Sequence, residues 1–549
     1  MPSLNSISCL QSLALEQVCE YVLEVAPEMR QDPNGSREYF IKNAHAWART
    51  NILSRTKEKL DKGDVDCHIW NELIGVFDRN PILKITTARL NRWLTLLNVM
   101  LDVGVTRLPA LSFCGSMETE LNEFVTVLNS CNTHLKELSL TFQMSNKNDC
   151  TSAVYRSMFI LQNSLHDGLA SKLVYLKLAA VCDNAILSTI GENAMCLKHL
   201  DVSGSWNVDE IGIKNLLFKS DVYVETINVP NDKLCQHLSQ MYDNKKLLNR
   251  CCFTLEELRI QDTNTEDASL LMILACVKSL KALGGFLYFR NIGDALVTVW
   301  ENSPKPREFQ LNELYDMQLT SKKITALKEC LPHLKKLYTR LSCVCAPQDF
   351  DDPEQGSMFW DRVQTLTIDL DYMMNFHFIN FVYNYGHNLS ELVILDQEAD
   401  IDVGKLLSSC PNLLFLKGFL HIFETPIGQF MKLKSFELHM PTFETLNWFF
   451  ENCPQLEEVK LFSDSRVMFW NTQVFEKPPE VMCNNLKRFE IHFNDRNSNV
   501  TTHKAIFKFI DKCTKLQHLG GLFTWSLDNN FVNLIKIYVK KNNYELNIY

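Results

Sequence analysis

Across residues 108–516 apolar side chains recur in the order apolar-x-x-apolar-x-apolar. The triplets Leu135, Leu138, Leu140; Leu173, Leu176, Leu178; Leu197, Leu200, Val202; Val224, Ile227, Val229; and Leu255, Leu258, Ile260 carry it in the first half. Val363, Leu366, Ile368; Leu389, Leu392, Ile394; Leu433, Phe436, Leu438; Leu456, Val459, Leu461; and Leu486, Phe489, Ile491 carry it in the second. Weaker copies start at Leu108, Leu280, Pro306, Leu334, Leu413 and Leu516, and the starts lie about 27 residues apart on average. The last three positions of each copy alternate, which predicts a short strand. Between copies the period lengthens toward 3.6, as over Ala268–Cys276, which predicts a helix behind each strand. One unit of this kind cannot bury its apolar face alone, so the units are expected to stack. The longest interval, from Leu135 to Leu173, contains a polar stretch from Gln143 to Asp149 that predicts an inserted loop. In the copies at Leu280, Leu413 and Leu516 glycine replaces the third apolar residue, which predicts a local bend.

Cysteine precedes many of these copies by three or four residues, at Cys131, Cys251, Cys276, Cys330, Cys410, Cys453, Cys483 and Cys513, and Cys196 directly precedes Leu197. With Cys410-Pro-Asn-Leu413 and Cys453-Pro-Gln-Leu456, this resembles the cysteine-containing leucine-rich repeats common in substrate receptors of cullin-RING ubiquitin ligases. The period also lies inside the roughly 20–29 residues of leucine-rich repeats. The resemblance implies an α/β fold, a curved leucine-rich-repeat solenoid over 106–549 of about 16 irregular repeats, with parallel strands on the concave face and helices outside. The cysteines are expected as small buried side chains in the turn between helix and strand.

Residues 1–105 lack the repeat. Leu10, Leu13, Val18, Val22 and Val25 recur at helical spacing and predict an amphipathic helix over about 8–25. Further helices are expected over Tyr39–Leu60, His68–Phe77 and Ala88–Leu101. Within the first, Leu15, Cys19 and Leu23 form one stripe, and Ala14-Leu15 through Leu23 resembles the box by which VHL-box and SOCS-box proteins dock elongin B/C. The same stretch from Leu13 to Val18, with Trp47 and Trp70 beyond it, also resembles an F-box. Either resemblance implies a helical box that docks an adaptor carrying a cullin, with Leu15, Cys19 and Leu23 as the docking residues. The alternative is that these helices only cap the repeats.

Composition narrows the function further. With 55 Lys and Arg against 65 Asp and Glu the net charge is −10, so the chain lacks the overall basic footprint of a nucleic-acid binder. The basic stretch Lys322-Lys323, Lys328, Lys335-Lys336 and Arg340 is expected as a solvated outer face. Nineteen cysteines without a CxxC pair and fourteen scattered histidines give no zinc-site spacing. The longest apolar run, Leu270 to Val277, is too short to span a bilayer, and the chain start lacks signal-peptide character. A cytosolic or nuclear protein with reduced thiols is expected. No phosphate loop, G-x-G-x-x-G, HExxH or G-x-S-x-G motif occurs, so no catalytic residue, metal or cofactor is expected.

Alternation also names a surface, because strand residues between the apolar anchors face away from the helices. Phe415, Lys417, Phe419, Glu437, His439, Lys460, Phe462, Glu490 and His492 fall on it, and aromatic and cationic residues concentrated there suit a protein-binding site. The expected function is that of a non-catalytic substrate receptor of a cullin-RING ubiquitin ligase, the alternative a leucine-rich-repeat scaffold without a ligase role.

Overall fold

A computed structural model describes residues 105–108, 110–114, 118–130, 134–143, 152–224, 229–285, 290–303, 308–341, 359–370, 382–395, 401–421, 428–439, 441–463, 475, 478–493, 503–522, 529–542, 544 and 546–548. The helical box, with Leu15, Cys19 and Leu23, lies outside the described residues, as does Cys131. The chain divides into two units, one ending at Leu311 and one beginning at Asn312.

In the first unit β1 (Leu111–Cys114), β2 (Glu137–Gln143), β3 (Tyr175–Ala179), β4 (His199–Asp201), β5 (Glu257–Arg259) and β6 (Ala282–Gly284) form one parallel sheet in chain order. In the second, β7 (Glu313–Asp316), β8 (Lys336–Leu341), β9 (Thr365–Leu370) and β10 (Glu391–Ile394) begin a parallel sheet. A short β11 (Ile401–Asp402) leaves it, and the sheet continues through β12 (Phe415–Gly418). The segment β13 (Leu420–His421) pairs with β11 alone. Then β14 (Ser435–His439), β15 (Glu458–Ser463), β16 (Arg488–Phe493), β17 (His518–Gly520) and β18 (Asn547–Ile548) complete ten strands.

One backbone feature repeats from strand to strand. The carbonyl of the residue after each anchor accepts two consecutive amides of the next repeat. Leu414 O takes Lys434 N at 2.9 Å and Ser435 N at 3.0 Å, and Lys434 O takes Glu457 N at 2.7 Å and Glu458 N at 2.9 Å. Glu457, Lys487 and Gln517 carry the series onward to β18. It aligns the repeats residue for residue, so each anchor leucine stacks on the previous one and is buried, from Leu413 through Leu433, Leu456 and Leu486 to Leu516.

Helices cover the apolar side of the strands. Thr442 caps the helix Phe443–Asn452 by accepting Thr445 N at 3.2 Å. The helix packs Phe449 and Phe450 on Phe436 at ring separations of 5.1 and 6.1 Å. In the first unit the helix Asp267–Cys276 is apolar around its circumference and correspondingly buried from Ser269 to Cys276, packed between neighbouring helices on several sides. The repeat cysteines Cys251, Cys276, Cys330, Cys410, Cys453, Cys483 and Cys513 are buried, and the Cys251 thiol donates to Leu216 O at 2.9 Å. Cys196 is exposed instead, because it belongs to the bend before Leu197 rather than to the helix–strand packing.

Several expectations are corrected. No strand stands between β4 and β5, where the copy at Val224 was expected: His199 lies directly opposite Glu257. The intervening segment is an insertion held by an antiparallel bridge between Phe218 and Leu248 and by the helix Asn231–Asp243, whose Leu234, Cys235, Leu238 and Met241 are buried. The copy assigned to Pro306 starts at Leu311, since Asn312 O is the carbonyl that takes Lys335 N and Lys336 N. That at Leu108 starts at Val105, because Arg107 pairs with Glu137 whereas Leu111 pairs with Leu140, leaving one extra residue between. Strand β18 adds a copy beyond Leu516, with Leu546 and Ile548 buried. All three glycine copies end their strands at glycine: β6 stops at Gly284, β12 at Gly418 and β17 at Gly520. After β17, Gly521 has φ +82°, and a Cβ there would lie 1.9 Å from Ile491 O, so only glycine fits.

Lys323 is not on a solvated face. In the repeat of β7 an aspartate replaces the third apolar residue, and Asp316 is fully buried. Lys323, on the helix Ser321–Cys330, reaches it with Nζ 3.3 Å from both carboxylate oxygens and 2.7 Å from Gln318 O. Asp316 Oδ1 also accepts Gln318 N at 2.8 Å, so strand, turn and helix are tied at one point. Removing one partner of such a pair leaves an uncompensated buried charge, at a cost of about 3–5 kcal/mol. Lys323→Met is therefore expected to lower the urea unfolding midpoint strongly, and the double variant Asp316→Leu/Lys323→Met to recover most of the loss.

Candidate partner-binding surface

On the strand face opposite the helices, register converts sequence alternation into rows. Lys417 pairs with Glu437, Glu437 with Lys460 and Lys460 with Glu490, one residue from each of β12, β14, β15 and β16. Two residues further along, His439 pairs with Phe462 and Phe462 with His492, and Phe419 stands beside His439. The four rings form a stacked column: Phe419 to His439 is 4.9 Å, His439 to Phe462 4.7 Å and Phe462 to His492 5.0 Å, at interplanar angles of 28°, 7° and 18°. The separations match the roughly 4.8 Å between strands, so each ring rests flat on the next without leaving its own strand.

The charged row lies beside the rings. Glu437 is its centre, with Lys417 Nζ at 2.5 Å, His439 Nε2 at 3.5 Å and Lys460 Nζ at 3.6 Å from its oxygens. Burial pushes this carboxyl up, but the bonds from His439 and Lys417 and the charges of Lys417 and Lys460 outweigh it and hold it down to about 2, from the ordinary 4.5. Glu490 holds Arg488 at 3.4 Å and His492 at 3.2 Å. Lys460 Nζ also lies 4.8 Å above the Phe462 ring.

Lys417, Phe419, His439, Lys460, Phe462 and His492 are thus brought together with Glu437 and Glu490. Phe415 shares their face but sits one row back, half-buried between Glu391 and Ser435, outside the ring column. Arg488 belongs to the cluster and was missed, although it stands two residues before Glu490 on the same side of the strand. The first unit carries a similar face that was also missed: Lys177 meets Asp201 at 3.2 Å, and Glu257 holds His199 at 3.0 Å and Arg259 at 2.6 Å. The alternation rule that gave the C-terminal row would have found it.

This arrangement can hold a ligand by contact and charge. Away from this surface, burial pushes the Cys330 and Cys410 thiols up to about 12, so these two stay protonated at neutral pH. Among the described residues no group of three or more His, Cys, Asp or Glu is placed to hold a metal ion, and no helix is long and apolar enough to cross a membrane.

No protein-family model matches the chain, and no curated protein matches it. Among solved structures, one titled as the crystal structure of a Rad7 and Elc1 complex in yeast is similar at 15% identity over 92% of this chain and 96% of that chain. Its TM-score of 0.37 makes the likeness too slight to argue from.

Because the folded carboxyl of Glu437 is depressed, its stabilising contribution is complete above the ordinary 4.5 and fades as pH falls toward about 2. The difference in urea midpoint between the natural protein and Glu437→Gln is expected to be constant from neutral pH to about 5 and to shrink below that.

Proposed function

We propose that the chain is a non-catalytic substrate-recognition subunit of a cullin-RING E3 ubiquitin ligase. Its repeats form a leucine-rich-repeat solenoid whose strand face holds a target protein, and its N-terminal helices dock an adaptor, elongin B/C or the F-box adaptor, that carries a cullin. The observation that supports the binding role best is the column of four rings with its ionic row, built across four strands where the fold requires only the opposite, apolar face. Aromatic and cationic side chains in one half-exposed patch are the residue types that dominate protein-binding energy. The ligase role rests on the cysteine-type repeats and on the Leu15, Cys19, Leu23 stripe. Such a subunit contributes proximity and orientation rather than side-chain chemistry. A cytosolic or nuclear location agrees with the free thiols of Cys182 and the buried repeat cysteines.

Affinity purification of the full chain, with mass spectrometry of what accompanies it, tests both halves. A Leu15→Asp/Cys19→Asp variant is expected to lose adaptor and cullin while keeping targets, and a Phe419→Ala/Lys460→Ala/Phe462→Ala variant to do the reverse. Targets retained in the second variant would overturn the surface assignment. Absence of adaptor and cullin from every sample would reduce the chain to a scaffold.

A further inference from the structure

The ring column specifies the chemistry of what it holds, given that this strand face is the binding surface proposed above. Depth separates its charges. Glu437 and Glu490 are 13% and 11% exposed, whereas Lys417, Lys460 and Arg488 are 30%, 39% and 41% exposed. The carboxylates therefore form a floor already occupied by Lys417, Lys460, His439, Arg488 and His492, while the lysine and arginine side chains are the more exposed members of the cluster. An ammonium has three donors and a guanidinium five, with no acceptor, so the outward surface of this row is rich in donors. Glu458, exposed and paired in register with Arg488, lies in the row beside the charged one, two rows from the rings.

The rings add a second preference. Within the column their faces are turned on one another, so what they offer outward is mainly edges, and aromatic edges carry the positive part of the quadrupole. Nucleic-acid bases bind by stacking on free aromatic faces, and the interior of this column offers none. Edges and cations together favour carboxylates.

We infer that this surface binds an extended segment of a partner protein rich in aspartate and glutamate, with its carboxylates on Lys417, Lys460 and Arg488 and its backbone crossing the strands along the ring edges. Lys417 and Lys460 converge on one carboxylate, with Nζ at 2.5 and 3.6 Å from the Glu437 oxygens, so neighbouring acids of the partner segment can meet both lysines.

The test is selection of random peptides displayed on phage against the immobilised full-length protein. Selected peptides are expected to be enriched several-fold in Asp and Glu over the input library. A fluorescent copy of one should bind roughly tenfold or more weakly to Lys417→Glu/Lys460→Glu, and more weakly as salt is raised. Because this variant takes two cations from Glu437, its urea midpoint is measured beside the binding, and Lys417→Gln, which leaves Lys460 and His439 on Glu437, is the milder variant and is expected to weaken the peptide severalfold. Peptides without acidic enrichment, binding unmoved by the charge reversal, or tighter binding of single-stranded oligothymidylate than of any selected peptide would each overturn the inference. If the Phe419, Lys460, Phe462 variant still loses cellular targets in that event, the surface stands and only its chemistry is wrong; if targets are retained, the surface assignment falls as well.

Discussion

The structure depends on one backbone constraint: a single carbonyl in each repeat accepts two successive amides from the next. Those paired bonds recur from Asn312 to His518 in the second unit and from Thr106 to Ala282 in the first. They hold neighbouring repeats in the same register regardless of how many residues lie between them. The interval can therefore stretch, as in the helical insertion between β4 and β5, without shifting any side chain from one face to the other. A slip of one residue would exchange the two faces of a strand, so register is what keeps leucines inside and the polar row outside.

Register also lets rows of like function form from residues far apart in sequence. On the buried side it stacks leucines and phenylalanines, with Phe489 meeting Phe475 and Phe509 at 5.8 and 5.0 Å. On the other side it builds the column from Phe419 to His492 and the charges beside it. Ordering two rings against each other costs little when the strands already hold them at stacking distance, because most of the conformational entropy is lost in forming the sheet. A binding surface made in this way is rigid before a ligand arrives, which reduces what association must spend on ordering.

Where the pattern is broken, the break is compensated locally. Asp316 occupies an anchor position that in most copies holds leucine, isoleucine or valine, and Lys323 neutralises it from the following helix. Asn249 is likewise buried, and its amide donates to the carbonyls of Asn215, Leu216 and Phe218, which closes the insertion back onto its repeat. Each substitution of polar for apolar brings a partner of its own, as burial demands.

The parallel strands, the helices behind them and the face on which Lys417, His439, Lys460 and Phe462 lie were all legible in the amino-acid order, because period and alternation are local properties that a strand or helix obeys wherever it sits. The triplet at Val224 had the same local signature and yet takes no place between β4 and β5, which pair directly with each other. Leu311 and Val105, rather than Pro306 and Leu108, begin their repeats for a similar reason: which copy joins the stack depends on which carbonyl is available to the next strand. Lys323 looked like one more solvated lysine, because nothing in its neighbourhood along the chain marks Asp316 as buried. The ring column was visible only as separate outward residues on separate strands. By itself the sequence determined which side of each strand faces out; the tertiary structure alone decided which residues meet there, because hydrogen-bond pairing between repeats sets register and local periodicity does not.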